Sequence, residues 1–106
     1  MVRLWLDDVR PMPYRFDMWC KTAVEAVILL QSNSVEHISF DHDLGGEYTG
    51  YDVAKTIENM AFYGTIQPLT WSIHTANPVG RDNIRAAMKS AERFWLNDEN
   101  NLQRVS

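Results

Sequence analysis

Three short apolar segments of this chain each end abruptly in acidic or histidine-containing residues, and this pattern limits the possible folds more than any other feature. Apolar runs of this length are typical of buried strands, which we predict at 3–7, 36–41 and 69–75. The groups that end them are Asp7-Asp8, Asp41-His42-Asp43 and His74-Thr75. The carboxyl ends of parallel strands meet at one edge of a sheet, where such folds bind their ligands. We therefore expect the three groups to lie together at that edge.

Helical segments alternate with these strands, and three cap signatures predict where the helices begin. The signatures are Thr22 with Glu25, Thr49 with Asp52, and Asn77 with Pro78. Alternating strands and helices are typical of βαβ units. The sequence therefore predicts an α/β fold, a three-layer sandwich in which a mostly parallel sheet is covered on both faces.

Two parts of this scheme are irregular. Pro11 and Pro13 make the segment after the first strand a loop, and only a weak strand is predicted at 14–20. The polar residues from Asn97 onward predict a frayed tail at 97–106. Because the sequence contains no linker or repeat, residues 1–106 are predicted to form a single domain.

The composition argues against several classes of function. The net charge is −4 and no cluster of Lys and Arg is present, so duplex DNA is not expected as a partner. No apolar run approaches the ~20 residues of a membrane helix, so no membrane association is expected either. Cys20 is the only cysteine and cannot form an internal disulfide, which favours a reducing, cytoplasmic location.

Four carboxylates, those of Asp7, Asp8, Asp41 and Asp43, fall at the predicted sheet edge. Like charges in a partly desolvated cleft repel each other unless a cation neutralises them. Oxygen ligands suit a hard divalent ion, and we expect Mg²⁺ or Mn²⁺. The alternative is that the acids only cap helices and solvate loops, which explains one aspartate better than it explains three strand ends at once.

His42 and His74 could act as general acids or bases, or as metal ligands, because imidazole exchanges protons near neutral pH. The alternative for His42 is a loop residue that hydrogen-bonds to the backbone. For His74, the alternation of side chains along a strand matters. If Thr75 points into the site, His74 faces the other side of the sheet unless the strand has already ended.

Arg10 and Arg81 lie where they could clamp a phosphate, Arg81 beside the positive end of the last helix. The alternative for each is a surface arginine that pairs with a nearby carboxylate. The four tryptophans are expected in the core rather than as platforms for stacked bases, because three of them lie in or beside predicted strands.

The order of these groups resembles the receiver domain of response regulators over roughly residues 3 to 91. Three segments more specifically resemble a family of small receiver-like domains, found in bacteria and phages, that process cyclic phosphates. They are Leu6-Asp7-Asp8-Val9-Arg10-Pro11, Ser39-Phe40-Asp41-His42-Asp43-Leu44-Gly45 and His74-Thr75-Ala76-Asn77-Pro78-Val79-Gly80-Arg81. The resemblance implies a minimal flavodoxin-like or receiver-like fold. The chain departs from the receiver pattern in two places, because the stretch between Asp8 and Asp41 is too short to include the first helix and no last strand-helix unit is recognisable.

The same resemblance implies a metal-dependent phosphoesterase that acts on the cyclic phosphate of a small nucleotide or an RNA end. The implied metal ligands are Asp7, Asp8, Asp41 and Asp43. The implied catalytic residues are His42, His74 and Asp41. One of the two histidines would protonate the leaving alkoxide or activate water, and Asp43 could orient His42 instead of binding the ion. The residues expected to bind the phosphate are Arg10, Thr75, Asn77 and Arg81.

Two other functions fit the same residues. A non-catalytic receiver-like module would bind a nucleotide or a protein partner and release it unchanged. A true receiver would use Asp41 as phosphoacceptor, although the sequence has no recognisable fifth strand ending in the lysine that receivers use. The sequence leaves open whether the chain forms a homo-oligomer.

Overall fold

The fold consists of four strands and three helices. The computed structural model describes the backbone of residues 1–105 and the side chains of residues 1–97. In chain order the elements are β1 (Val2–Leu6), β2 (Met18–Cys20), α1 (Ala23–Gln31), β3 (Val35–Phe40), α2 (Gly50–Phe62), β4 (Thr70–Ile73) and α3 (Pro78–Val105). The strands pair in parallel, in the order β2-β1-β3-β4. The predicted small α/β fold with a parallel sheet is confirmed.

The direction in which the chain crosses the sheet decides which face each connection covers. From β2 to β3 and from β3 to β4 the chain moves toward the same edge, and right-handed crossovers then place α1 and α2 on one face. The third helix, α3, packs along α2 on that face. The step from β1 to β2 runs the opposite way, so its Pro-rich connection at 7–17 covers the other face. The third layer of the sandwich, on the face of the sheet opposite the helices, is therefore formed by this connection.

The face of the sheet that meets the helices carries the core. Leu4, Leu6, Ile38 and Phe40 are fully buried on this face and alternate with residues of the other face. They form one cluster with apolar residues from all three helices, namely Ala23, Ala26, Leu30, Val53, Ala54, Ile57, Ala61, Ile84, Ala87, Met88, Ala91 and Trp95. Each large side chain buried in this way contributes about 1.5–3 kcal/mol relative to exposure. This packing fixes the strands beneath the helices, and with them the strand ends.

The opposite face of the sheet is aromatic and polar. Trp5 and Ser39 are neighbours in the register of β1 and β3, and both are buried. The ring of Phe16 meets Trp5 edge-to-face, with 5.0 Å between the ring centroids. The N–H of Asp17 donates to the Arg3 carbonyl at 2.8 Å, and Oδ2 of Asp17 accepts from the Arg3 N–H at 2.8 Å. These contacts hold the Pro-rich connection against β1.

Helices α1 and α2 begin at the predicted caps. Thr49 and Asp52 form a complete capping box at the start of α2, in which each side chain accepts from the backbone N–H of the other residue. At the start of α1, the Thr22 hydroxyl accepts from the Glu25 N–H at 3.2 Å. The Thr22 hydroxyl also donates to the Glu25 carboxylate at 3.0 Å. The local sequence therefore determines where these helices start.

The last helix is longer than the sequence predicts. It begins at Pro78 as expected, but it continues to Val105, whereas the sequence predicts a frayed tail from Asn97. The side chains beyond Asn97 lie outside the described residues. Within the described part of the chain, none of the helices combines the length and the apolar character needed to cross a membrane.

The buried position of Cys20 gives a test of the fold. The residue is 4% exposed, and burial, followed by the nearby charge of Glu25, raises the pKa of its thiol to about 11. Because the thiolate is the reactive form, we expect the native protein to react with a disulfide reagent at about pH 8 at least about 100-fold more slowly than the unfolded chain. Equal rates in buffer and in denaturant would contradict the burial of this strand end.

Candidate functional site

The candidate site lies at the carboxyl edge of the sheet, where the hydrogen-bond ladder continues one residue past the strands. The backbone N–H groups of Asp7, Asp41 and His74 each donate to a carbonyl of the adjacent strand at 2.9–3.1 Å. These three residues come from the groups that the sequence analysis placed at the strand ends. Their backbone positions are therefore fixed by the sheet itself.

Asp7, Asp8 and Asp41 form an acid cluster at this edge. One carboxylate oxygen of each residue lies within 4.8 Å of the others. Asp7 is fully buried, and Asp8 and Asp41 are half-buried. Three converging carboxylate oxygens match the ligands that Mg²⁺ and Mn²⁺ prefer, so the residues fit the predicted cation. Asp43, the fourth predicted ligand, lies outside this cluster, and its side chain is 70% exposed.

The carboxylate of Asp7 is held on both oxygens. Its Oδ1 accepts from the backbone N–H groups of Val9 and Arg10, at 2.9 and 2.8 Å. Its Oδ2 lies 2.9 Å from Nε2 of His74. Burial alone would raise the pKa of Asp7, but the hydrogen bonds from Arg10, Val9 and His74 outweigh burial and lower it. Asp7 is therefore ionised at neutral pH although it is fully buried.

His74 lies directly after β4, on the face of the sheet opposite the helices. Its Nδ1 is 2.8 Å from Oγ of Ser39, and its ring stacks on Trp5 with 3.8 Å between centroids and 6° between planes. Burial lowers the pKa of His74, although the hydrogen bond and the charge of Asp7 oppose this shift. The alternation of side chains along β4 therefore places His74 on the face that carries Trp5. His74 contacts the acid cluster through its hydrogen bond to Asp7.

His42 directly follows Asp41, and its backbone N–H donates to Oδ1 of Asp41 at 2.8 Å. Its ring Nδ1 lies 3.1 Å from Oδ1 of Asp43 and 3.4 Å from Nδ2 of Asn77. Among the described residues, none forms a hydrogen bond with Nε2 of this ring. The described residues therefore leave the hydrogen-bonding capacity of Nε2 unused.

The two predicted phosphate-binding arginines both bond to the loop after β4. A guanidinium N–H of Arg10 donates to the carbonyl of His74, and one of Arg81 donates to the carbonyl of Thr75, both at 2.6 Å. Within residues 1–97, neither arginine forms an ion pair with a carboxylate. Both residues are exposed, and a guanidinium has five N–H donors, so donors remain for an anion.

Thr75 and Asn77 shape the loop between β4 and α3. Thr75 is buried, and its Oγ1 accepts from the Asn77 N–H at 3.2 Å. Asn77 caps α3, because its Oδ1 accepts from the N–H of Gly80 at 3.0 Å. Its Nδ2 is 3.5 Å from Oδ2 of Asp43. These contacts give the two residues structural roles that do not depend on phosphate binding.

Three further residues complete the site, although the sequence analysis gave them no functional role: Trp5, Ser39 and Gly50. The N–H of Gly50 donates to the His42 carbonyl at 2.8 Å, and a Cβ on Gly50 would lie 2.9 Å from the carbonyl carbon of Asp41. A glycine directly after a helix cap is a poor helix former and signals such a close approach. A serine between two apolar residues of a buried strand signals a polar partner on that face of the sheet, and Ser39 is such a residue. Nothing in the sequence distinguishes Trp5 from an ordinary core residue.

A four-stranded parallel sheet with an acid cluster at its carboxyl edge is the arrangement expected of a small receiver-like fold. The sequence profile of the family described as "Cyclic-phosphate processing Receiver domain" matches residues 2–90. The chain belongs to this family, which confirms the resemblance found in the sequence. The family's description gives the chain a role in cyclic-phosphate processing. No curated protein and no solved structure matches the chain.

Gly80 provides a test of how closely α3 packs on His42. A Cβ at Gly80 would lie 2.6 Å from Cδ2 and 2.7 Å from Cβ of His42. Alanine in a helix is normally more stable than glycine by about 0.5–1 kcal/mol. Because of the overlap, we instead expect Gly80→Ala to lower the free energy of unfolding by about 1–3 kcal/mol, measured by chemical denaturation.

Gly46→Ala is the matched control, because a Cβ at Gly46 meets no atom within 4 Å. We expect its free energy of unfolding to stay within about 0.5 kcal/mol of wild type. A Gly80→Ala variant that is as stable as the control would contradict the packing of α3 on His42.

Proposed function

We propose that this protein is a metal-dependent phosphoesterase that opens the cyclic phosphate of a small nucleotide or an RNA end. The observation that carries the proposal is the acid cluster next to His42, at the sheet edge where folds of this type bind ligands. Membership of a family described by cyclic-phosphate processing supports the class of substrate.

The acid cluster is the proposed cation site. Asp7, Asp8 and Asp41 would hold Mg²⁺ or Mn²⁺ through their carboxylate oxygens. Three carboxylates within 4.8 Å of one another repel each other, and a divalent ion relieves that repulsion. When bound, such an ion polarises a phosphoryl oxygen and makes a coordinated water easier to deprotonate.

His42 is the proposed proton donor. In the proposed reaction the oxygen of a water molecule bonds to phosphorus, and the bond from phosphorus to one ring oxygen breaks. The attacking water releases a proton to solvent, the departing oxygen takes up a proton that His42 can supply from Nε2, and His42 is then reprotonated from solvent. Asp43 and Asn77 contact Nδ1 of the same ring and orient it. General acid catalysis of this kind typically contributes about 100- to 10,000-fold to the rate.

Arg10 and Arg81 are the proposed phosphate-binding groups. Each is anchored by one hydrogen bond to the loop after β4, so its charge is held beside the sheet edge. The remaining N–H groups can donate to the non-bridging phosphoryl oxygens as negative charge builds on them. Thr75 and Asn77 hold the same loop in place.

A non-catalytic binding module is the second candidate, because the anchored arginines would serve phosphate binding alone as well as they would serve catalysis. Donors that are fixed before the ligand arrives can bind substrate and transition state equally well, which gives affinity without turnover. Such a module would release a bound cyclic nucleotide unchanged.

The decisive experiment follows 2′,3′-cyclic nucleotides by phosphorus NMR in the presence of Mg²⁺ or Mn²⁺. We expect conversion to a single monophosphate isomer, with a loss of about 100-fold or more in Asp41→Asn because an acidic ligand is removed. Asp17→Asn is the matched control, because Asp17 precedes β2 at the other end of the sheet and bonds to Arg3.

The outcomes separate the two candidates. An Asp41→Asn variant that turns over at the wild-type rate would show that the acid cluster is not the reaction site. In Mg²⁺, which is diamagnetic, line broadening of the cyclic nucleotide without conversion would favour the binding module.

A further inference from the structure

We infer that His74 is a positioning residue: it holds the Asp7 carboxylate in place for the cation, and proton transfer is left to His42. The inference rests on the proposed function, because it concerns the same acid cluster. It gives different roles to two histidines that the sequence named as alternatives for one role.

Both ring nitrogens of His74 are occupied by protein groups. Its Nε2 lies 2.9 Å from Oδ2 of Asp7, and its Nδ1 lies 2.8 Å from Oγ of Ser39. An ionised carboxylate can only accept, so Nε2 carries the hydrogen, and Nδ1 then accepts from the Ser39 hydroxyl. A ring used in this way has no nitrogen left for a substrate.

The ring of His74 is also fixed in orientation. It lies parallel to the indole of Trp5, with 3.8 Å between centroids. Trp5 is only 8% exposed, and its Nε1 donates to the Arg10 carbonyl at 2.9 Å. The Arg10 guanidinium in turn donates to the carbonyl of His74 at 2.6 Å. Turning the ring would break the stack and both of its hydrogen bonds.

The consequence falls on Asp7. Its Oδ1 accepts from two backbone N–H groups and its Oδ2 lies against His74, so the bond from His74 completes the set of donors that holds the carboxylate in one orientation. Partners behind a metal-ligating side chain are typically worth about 10- to 100-fold in metal affinity. His42 differs, because its Nε2 has no hydrogen-bond partner among the described residues.

The test measures the affinity for Mn²⁺ without substrate, by titration calorimetry. His74→Phe keeps an aromatic ring against Trp5 but removes the donor to Asp7, and we expect it to bind Mn²⁺ at least about 10-fold more weakly. His74→Gln keeps an amide donor near the position of Nε2 and should recover most of the affinity. His37→Phe is the matched control, because His37 lies on the same face and contacts Thr70 and Ser72 instead.

Ser39→Ala is a second, milder variant that guards against misfolding of His74→Phe. It keeps the imidazole and its bond to Asp7 but removes the hydroxyl partner of Nδ1. We expect its Mn²⁺ affinity to lie between those of wild type and His74→Phe. Wild-type affinity in both folded variants would overturn the inference.

Turnover at saturating Mn²⁺ separates positioning from catalysis. We expect His74→Phe to regain most of its rate once the ion is supplied in excess. His42→Gln should bind Mn²⁺ normally but stay slower by about 100-fold or more. A His74→Phe variant that stays as slow as His42→Gln at saturating Mn²⁺ would overturn the inference.

The proposed function can fail separately from the inference. A wild-type protein that binds Mn²⁺ but converts no cyclic phosphate would contradict the phosphoesterase, while the Mn²⁺ comparison of the His74 variants would still decide the inference. A wild-type protein that binds no Mn²⁺ would overturn both.

Discussion

The burial of Asp7 as an ion is the constraint on which the rest of the structure depends. A fully buried carboxylate without partners loses several kcal/mol of hydration, so the surrounding elements must supply donors. Val9 and Arg10 supply two from the Pro-rich connection, and His74 supplies a third from the end of β4. Trp19 of β2 adds its indole N–H to the Asp7 carbonyl at 2.7 Å. The residue directly after the inner strand β1 therefore joins the Pro-rich connection, β2 and the end of β4.

This arrangement explains how a short connection can take the place of a helix. The segment at 7–17 covers Trp5 with Phe16 and also carries two of the donors that Asp7 needs. On the other face, Gly50 and Gly80 allow the starts of α2 and α3 to approach Asp41 and His42 closely. The contacts that fold the chain are therefore largely the contacts that position the site.

Much of this arrangement could be predicted, because it depends on local signals. The approach of Asp8 and Asp41 to Asp7 follows from strand positions alone, since the rule for parallel sheets requires nothing more. The partners of the site residues could not be predicted in this way. The contact between Ser39 and His74 joins residues 35 positions apart and depends on the register of β3 and β4. The departure of Asp43 from the acid cluster likewise depends on the path of a loop.

The lengths of the strands have a consequence for how the molecule meets its neighbours. The edge strands β2 and β4 contain three and four residues, whereas the inner strands β1 and β3 contain five and six. An edge strand offers unpaired N–H and C=O groups to any extended chain, and long edges promote aggregation. Because this sheet tapers toward both rims, it offers only a short template for an added strand. The short edge strands in this way limit the growth of the sheet between molecules.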